Sequence, residues 1–203
     1  MRAPMERADL ATRSGDAPAF SGLVRSLVDW YGGLFAPSAT VEEVTSRVQL
    51  PAPPERVWGS LKFYEEVPSR PGALLRIGLP APVRSEGEKT RVGGTVRCVY
   101  EGGYVLKRTT SAEPPNVLRF EVFEQRLGLE RCLSLSDGVY EIRAVPGGSE
   151  VALTTRYRGH LRPRGVFRPL ERRLAHEIHG HILAGMRTAL DTAAASPIEA
   201  KVG

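Results

Sequence analysis

The sequence predicts an α+β domain in which a long antiparallel meander is followed by one extended C-terminal helix. Two observations carry this reading. From Val83 to Leu161 apolar and polar residues alternate in short runs separated by Gly/Pro turn signals, the pattern of half-buried strands. After them Phe167, Leu170, Leu174, Ile178, Ile182, Gly185, Met186, Ala189 and Leu190 recur at helical spacing. They form a stripe about 160° wide at 100° per residue. A helix apolar on one side has to lie across a sheet.

Composition bounds what such a domain is. The 203 residues, 41% hydrophobic and 25% charged, fit one globular domain with a core large enough to need no disulfide or structural metal. No apolar run approaches the roughly 18 residues of a membrane span. The first residues, MRAPMERADL, lack an apolar signal-peptide core. Cys98 and Cys132, outside any CxxC pattern, suit reduced thiols, and the expected location is cytoplasmic. Only Lys62, Lys89, Lys107 and Lys201 of the 28 basic residues are lysines. Seven arginines and His160 crowd the stretch from Arg156 to Arg173, opposed only by Glu171. The reading preferred for that run is a solvated basic face.

Residues 1–18 mix charges, Pro, Ser and Gly without period and are expected to be a disordered tail. Residues 19–40 are expected to form an amphipathic helix and linker, with Phe20, Leu23, Val24, Leu27, Tyr31, Leu34 and Phe35 at helical spacing. Docking of this helix on its own domain or on a twin chain in a homodimer is preferred. A membrane-surface helix, the alternative, usually carries more Lys and Arg on its polar face. The main domain spans 41–196. Its first strand is read at Thr45–Leu50, followed by PAPPERVW, where Pro53 or Pro54 opens a short helix that buries Val57, Trp58 and Leu61. Pro68 and Pro71 end that helix, and a second short helix or irregular turns reach Pro82.

Six or seven strands follow from the pattern. Val96, Cys98 and Tyr100 alternate up to a hairpin turn at Gly102-Gly103, and Tyr104 to Thr110 returns. Beyond Pro114-Pro115-Asn116, Leu118, Phe120 and Val122 share one face. A strand from about Cys132 to Ala144 is interrupted by a bulge or bend at Asp137-Gly138, and Val151, Leu153, Thr155 and Tyr157 end the meander. The final helix is predicted from Pro169 to about Ala195, with 197–203 as a tail.

This order, on PAPPERVW (51–58), VGGTVRCVYEGG (92–103), VALTTRYRGHL (151–161) and RPLERRLAHEIHGHIL (168–183), resembles the helix-grip fold of the START/birch-pollen-allergen superfamily, SRPBCC. Its polyketide cyclase/dehydrase-like branch is most similar. The resemblance covers roughly 45–195. It implies a curved sheet wrapped around the C-terminal helix, a deep apolar cavity and ligands such as lipids, sterols or polyketides, with cyclisation or dehydration catalysed in some members.

Candidate chemistry is sparse. His176, His179 and His181 stand three and two residues apart beside Glu177, unlike the i, i+4 pair of HExxH, and their helical directions diverge, so no metal site is expected. His181, at the edge of the stripe, is a weak acid/base candidate, with a locally partnered histidine the preferred reading. No GxSxG elbow or phosphate-binding GK[ST] appears, and the basic run lacks interleaved aromatic platforms, so nucleic acid is not an expected partner. Strand parity brings Tyr100, Glu124 and Tyr157 to the inner face, where burial would raise the pKa of Glu124 towards a general-acid range. Exit of Glu124 to solvent, paired with Arg126 or Arg131, is the favoured alternative. Tyr100, Phe120, Val122, Tyr140, Tyr157, Ile178, Ile182 and Met186 are the expected ligand-lining residues. The expected function is binding of a hydrophobic small molecule (lipid, polyketide or polycyclic), without a cofactor. A cyclase or dehydratase using Glu124, Tyr100, Tyr157 or His181 is the alternative, and a lipid- or membrane-surface adaptor is the third reading.

Overall fold

Residues 40–195 are described by a computed structural model. The helix expected near 20–35 and both expected tails lie outside these residues. Seven strands form one antiparallel sheet: β1 (Glu42–Leu50), β2 (Pro82–Gly87), β3 (Thr95–Tyr100), β4 (Gly103–Glu113), β5 (Val117–Arg126), β6 (Leu133–Val145) and β7 (Gly148–Gly159). Their spatial order is β1-β7-β6-β5-β4-β3-β2, so the meander from β2 to β7 is sequential and β1 closes beside its last strand. Between β1 and β2 the chain makes α1 (Pro54–Gly59), a 3-10 turn (Tyr64–Glu66) and α2 (Ala73–Gly78). The long helix α3 (Arg164–Ala195) lies against the concave face, with its closest sheet contacts on β1 and β7. This is the helix-grip arrangement.

Register irregularities curve the sheet and decide which side chains look inward. Lys107 pairs with Val122, but the next residue back, Leu106, pairs with Glu124, so Phe123 is an extra residue in β5. Ser136 is likewise skipped between the Leu135–Tyr157 and Asp137–Arg156 pairs, one or two positions before the predicted break at Asp137-Gly138. The β3–β4 turn falls on Glu101-Gly102, because Tyr100 already pairs with Gly103 and Gly102 takes φ +81°. Gly103 serves another purpose. A β-carbon there would meet the Arg126 carbonyl oxygen at 1.9 Å, so only glycine lets the two strands approach.

The final helix begins five residues before the predicted start and contains Pro169. The Pro163 carbonyl accepts the first bonds, from the N–H groups of Val166 (3.1 Å) and Phe167 (3.3 Å). Proline removes one i→i−4 bond. A two-pronged ion pair from Arg164 to Glu171, both contacts 2.7 Å, spans the weakened turns and ties them together.

The buried stripe of α3 also differs from the expected one. Leu170 is 53% exposed and Val166 65% exposed, whereas Glu171 and His179 are buried. The N-terminal half of the helix faces polar groups, Glu42 and Ser46 on β1 and Thr155 on β7, so its buried side is polar. From Leu174 and Ile178, which pack against its border, the helix runs into the apolar core, where Ile182, Leu183, Met186 and Leu190 are buried with Val96, Cys98, Val105, Leu118, Phe120, Tyr140, Ile142 and Leu153.

Candidate functional site

The 3-10 turn carries two glutamates that point to different partners. Glu66 accepts from the Phe63 N–H (2.7 Å), the Ser85 hydroxyl (3.1 Å) and the Lys89 ammonium (2.5 Å), closing the turn onto β2 and the β2–β3 loop. Burial pushes its pKa up, but Lys89 and the other donors outweigh this and hold it below the ordinary glutamate value. Glu65 turns inward. Its side chain is fully buried, accepts from the Tyr100 hydroxyl, and stands 3.4 Å from the Lys107 Nζ.

Lys107 reaches this place because β4 alternates Val105, Lys107 and Thr109 towards the concave side, all three buried. Its ammonium sits 4.2 Å from the ring centre of Phe63 and 5.8 Å from that of Phe120. Those ring faces and the Glu65 carboxylate replace the water it has lost. Burial opposes its charge, yet Glu65 and Cys98 raise its pKa above the ordinary lysine value, so it is an ammonium at neutral pH. Burial pushes the Cys98 thiol up to about 12, and burial together with Glu65 pushes Tyr100 well above its ordinary value. Both are protonated donors at neutral pH. This part of the interior therefore brings together the Lys107 ammonium, the Glu65 carboxylate, the Tyr100 phenol and the Cys98 thiol, walled by aromatic rings.

Among the predicted residues, Phe120, Tyr140, Ile182 and Met186 belong to the same buried core, with Tyr100, Val122 and Ile178 half-buried at its border. The Tyr140 hydroxyl donates to the Lys62 carbonyl (2.5 Å). Tyr157 is buried outside this group, beneath the first turns of α3. Burial, then the nearby carboxylates of Glu171 and Glu42, raises its pKa to about 12. Tyr100 and Tyr157 thus face separate regions.

Glu124 does not point inward. The extra residue Phe123 reverses parity, and Glu124 accepts from the Tyr104 hydroxyl (2.7 Å) and from Arg126 (3.3 Å) on the outer side. These two bonds lower its pKa, opposite to the shift a buried general acid needs. The bulge is the physical reason that Glu124 leaves the inner face, and its pairing with Arg126 is the alternative the sequence favoured.

The three histidines separate. His179 is buried between the Ser46 hydroxyl (3.1 Å) and the Thr155 hydroxyl (2.8 Å), and burial pulls its pKa down to about 4. His176 is exposed and shares Ser46 (2.9 Å). His181 is half-buried with its ring edge-on to Tyr64, 5.5 Å between centres, and its Nε2 is buried without a hydrogen-bond partner among the described residues. Burial lowers its pKa. No three His, Cys, Asp or Glu side chains among the described residues converge to hold a metal.

His181 also lines an open cavity of about 950 Å³ along the first half of α3, bordered by Gly72 just before α2, by Leu75 of α2, and by Arg168, Pro169, Arg172, Arg173, His176, Glu177 and Gly180. From His181 the contacts run inward. Tyr64 stacks on Tyr100 at 6.4 Å, and Tyr100 donates to Glu65 beside Lys107. Sequence reasoning missed Glu65 and Lys107. The available signal was a rare lysine in phase with inward-facing strand residues.

A seven-stranded sheet gripping one long helix, with a cleft beside that helix, is the domain of the START/Bet v 1-like SRPBCC superfamily. Within it the chain belongs to the family described as polyketide cyclase / dehydrase and lipid transport, whose model matches residues 41–195. Among solved structures it is similar to an uncharacterised protein from Rhizobium leguminosarum (16% identity, 77% of this chain and 99% of that one, TM-score 0.52). It is also similar to a protein from Thermus thermophilus (22% identity, 76% and 100%, TM-score 0.50). A third is a norcoclaurine synthase point mutant from Thalictrum flavum, in complex with a transition-state analogue (11% identity, 79% and 100%, TM-score 0.54). At these identities the likeness is one of fold. No curated protein matches the chain. No described helix is long and apolar enough to cross a membrane.

Proposed function

We propose that the domain binds a hydrophobic small molecule that enters through the cleft between α2 and α3 and presents a polar atom to Lys107, Glu65 and Tyr100. The observation that carries this reading is a run of ring contacts leading inward from the cleft: His181 lines the cleft and stands edge-on to Tyr64 at 5.5 Å, and Tyr64 stacks on Tyr100 with 6.4 Å between centres. An apolar enclosure with a few convergent polar groups suits a ligand with one carbonyl or hydroxyl. The two cysteines, both free thiols, support a reducing cytoplasmic setting.

The test is binding of a fluorescent apolar probe at about one per chain, displaced by hydrophobic competitors. Gly180 lines the cleft and an added β-carbon there meets nothing within 4 Å, so Gly180→Trp fills the entrance without disturbing the core. Binding weakened by Gly180→Trp but not by Gly180→Ala supports the reading. An absence of saturable binding, or binding indifferent to the tryptophan, refutes it.

A second reading, acid–base catalysis on a carbonyl compound, draws support from the buried Lys107–Glu65 pair. A ligand oxygen inserted between them would receive a hydrogen bond from the ammonium and leave the carboxylate to accept a proton. Loss of one water from a β-hydroxy ketone in the presence of the protein, abolished by Glu65→Gln with probe binding retained, would support catalysis. Unchanged substrate would count against it.

A further inference from the structure

We infer that the cleft along α3 selects ligands carrying a single carboxylate, with Arg172 as its ionic partner. The inference rests on the reading that a ligand occupies this cleft and concerns the end of the ligand that stays in it, not the end directed towards Lys107, Glu65 and Tyr100. It follows from which charges around the cleft are already answered. Glu42 takes Arg168 (2.8 Å) and Arg164 (3.5 Å), Glu171 takes Arg164 (2.7 Å), and Glu43 takes Arg156 (2.8 Å). Glu177, the one acid lining the cleft, stands 3.8 Å from Arg173. Arg172 differs. It donates to the main-chain oxygen of Glu43 at 3.0 Å, a neutral acceptor, which leaves its charge and its remaining N–H donors for a ligand.

Two further features point the same way. His181 lines the same cleft, and its ring, whose Nε2 is buried without a protein partner among the described residues, places a polar side chain at the inner end of the lining. Leu75 and Pro169 line the cavity and supply apolar contact for the part of the ligand beside the charge. One unanswered positive charge suits a monoanion better than a phosphate dianion, and a guanidinium fork matches the two oxygens of a carboxylate.

Decanoate, decanol and acetate, each kept below its aggregation limit, separate the possibilities when titrated calorimetrically into the full chain and into Arg172→Gln. The expected result is decanoate binding about tenfold tighter than decanol, the worth of one charge-assisted contact, with acetate not binding. Arg172→Gln should erase the preference for the acid with decanol still bound, while Arg172→Lys should restore part of it. Equal affinity for acid and alcohol, or a preference that survives Arg172→Gln, overturns the inference but leaves the ligand-binding reading standing. Binding of acetate as tight as that of decanoate overturns it in favour of a plain anion site. Failure of both ten-carbon compounds to bind refutes the ligand-binding reading itself.

Discussion

The ring of Phe120 occupies the space in which a side chain on its cross-strand neighbour Gly138 would begin. A β-carbon on Gly138 would lie 2.4 Å from the Phe120 Cζ. The ring has little room to retreat, since Phe63 stands edge-on to it at 5.0 Å and Tyr140 lies 6.3 Å away. Gly138→Ala is therefore expected to destabilise the fold by about 1–3 kcal/mol, the usual cost of overpacking. Chemical denaturation measures this. Phe120→Leu introduced into the Gly138→Ala chain should recover part of the loss, and a Gly138→Ala chain as stable as the parent would show that the ring gives way freely.

Lys107→Met removes the cation beside a carboxylate that has no water around it. Breaking one half of such a buried pair costs about 3–5 kcal/mol, because the remaining charge stays behind uncompensated. Pairing Lys107→Met with Glu65→Gln should be milder than Lys107→Met alone. Urea melts of the two singles and the double give the coupling, and additive losses would mean that the groups do not interact.

His179 makes stability depend on pH in a window above the carboxylates. Its pKa is about 4 in the fold and near 6.5 in the unfolded chain, so between these values the unfolded chain binds the extra proton. Its contribution is whole above pH 6.5 and is lost as the pH falls towards 4, by about 3 kcal/mol in all. His179→Gln should flatten that part of the stability–pH curve. Parallel curves for the two proteins would contradict the assignment.

Glu124→Gln should leave the binding of an apolar probe unchanged and the melting temperature little altered, because Glu124 belongs to a half-buried cluster with Tyr104 and Arg126 on the outer side of the sheet. A marked loss of binding would return Glu124 to the interior.

The strands and the final helix are legible in the sequence because their signals are local. Alternation, Gly/Pro turns and a 3.6-residue period each lie within one element. Parity alone misplaces Glu124 because Phe123 interrupts the alternation of β5, and an extra residue in one strand is visible only against its partner. The start of α3 is read too late because a proline normally opens a helix, and the Arg164–Glu171 pair that spans the proline turn is an i, i+7 contact, outside the i+3 and i+4 spacings by which helical pairs are read. Leu170 fits the spacing of the buried stripe, but its turn lies beside polar groups of β1 and β7. Glu65 and Lys107 stay hidden for a similar reason: they meet across 42 positions of sequence, and only the folded turn brings them together.

The pairing of β1 with β7 has a consequence for how the chain is made. The hydroxyls of Thr45 and Thr154 touch at 2.8 Å although 109 positions separate them, and the whole ladder from Glu42–Tyr157 to Leu50–Ser149 has similar reach. During synthesis β1 leaves the ribosome among the first folded segments and then waits for the last strand, for roughly 5–20 s at 5–20 residues per second. Throughout that wait its N–H and C=O groups form an open edge, the kind of surface on which chains stick to one another. Loop closure over such a distance also makes this ladder the slow, late step of folding. Conditions that delay β7, such as a truncated C-terminus or stalled translation, should therefore produce aggregation before they produce any loss of ligand binding in the chains that finish.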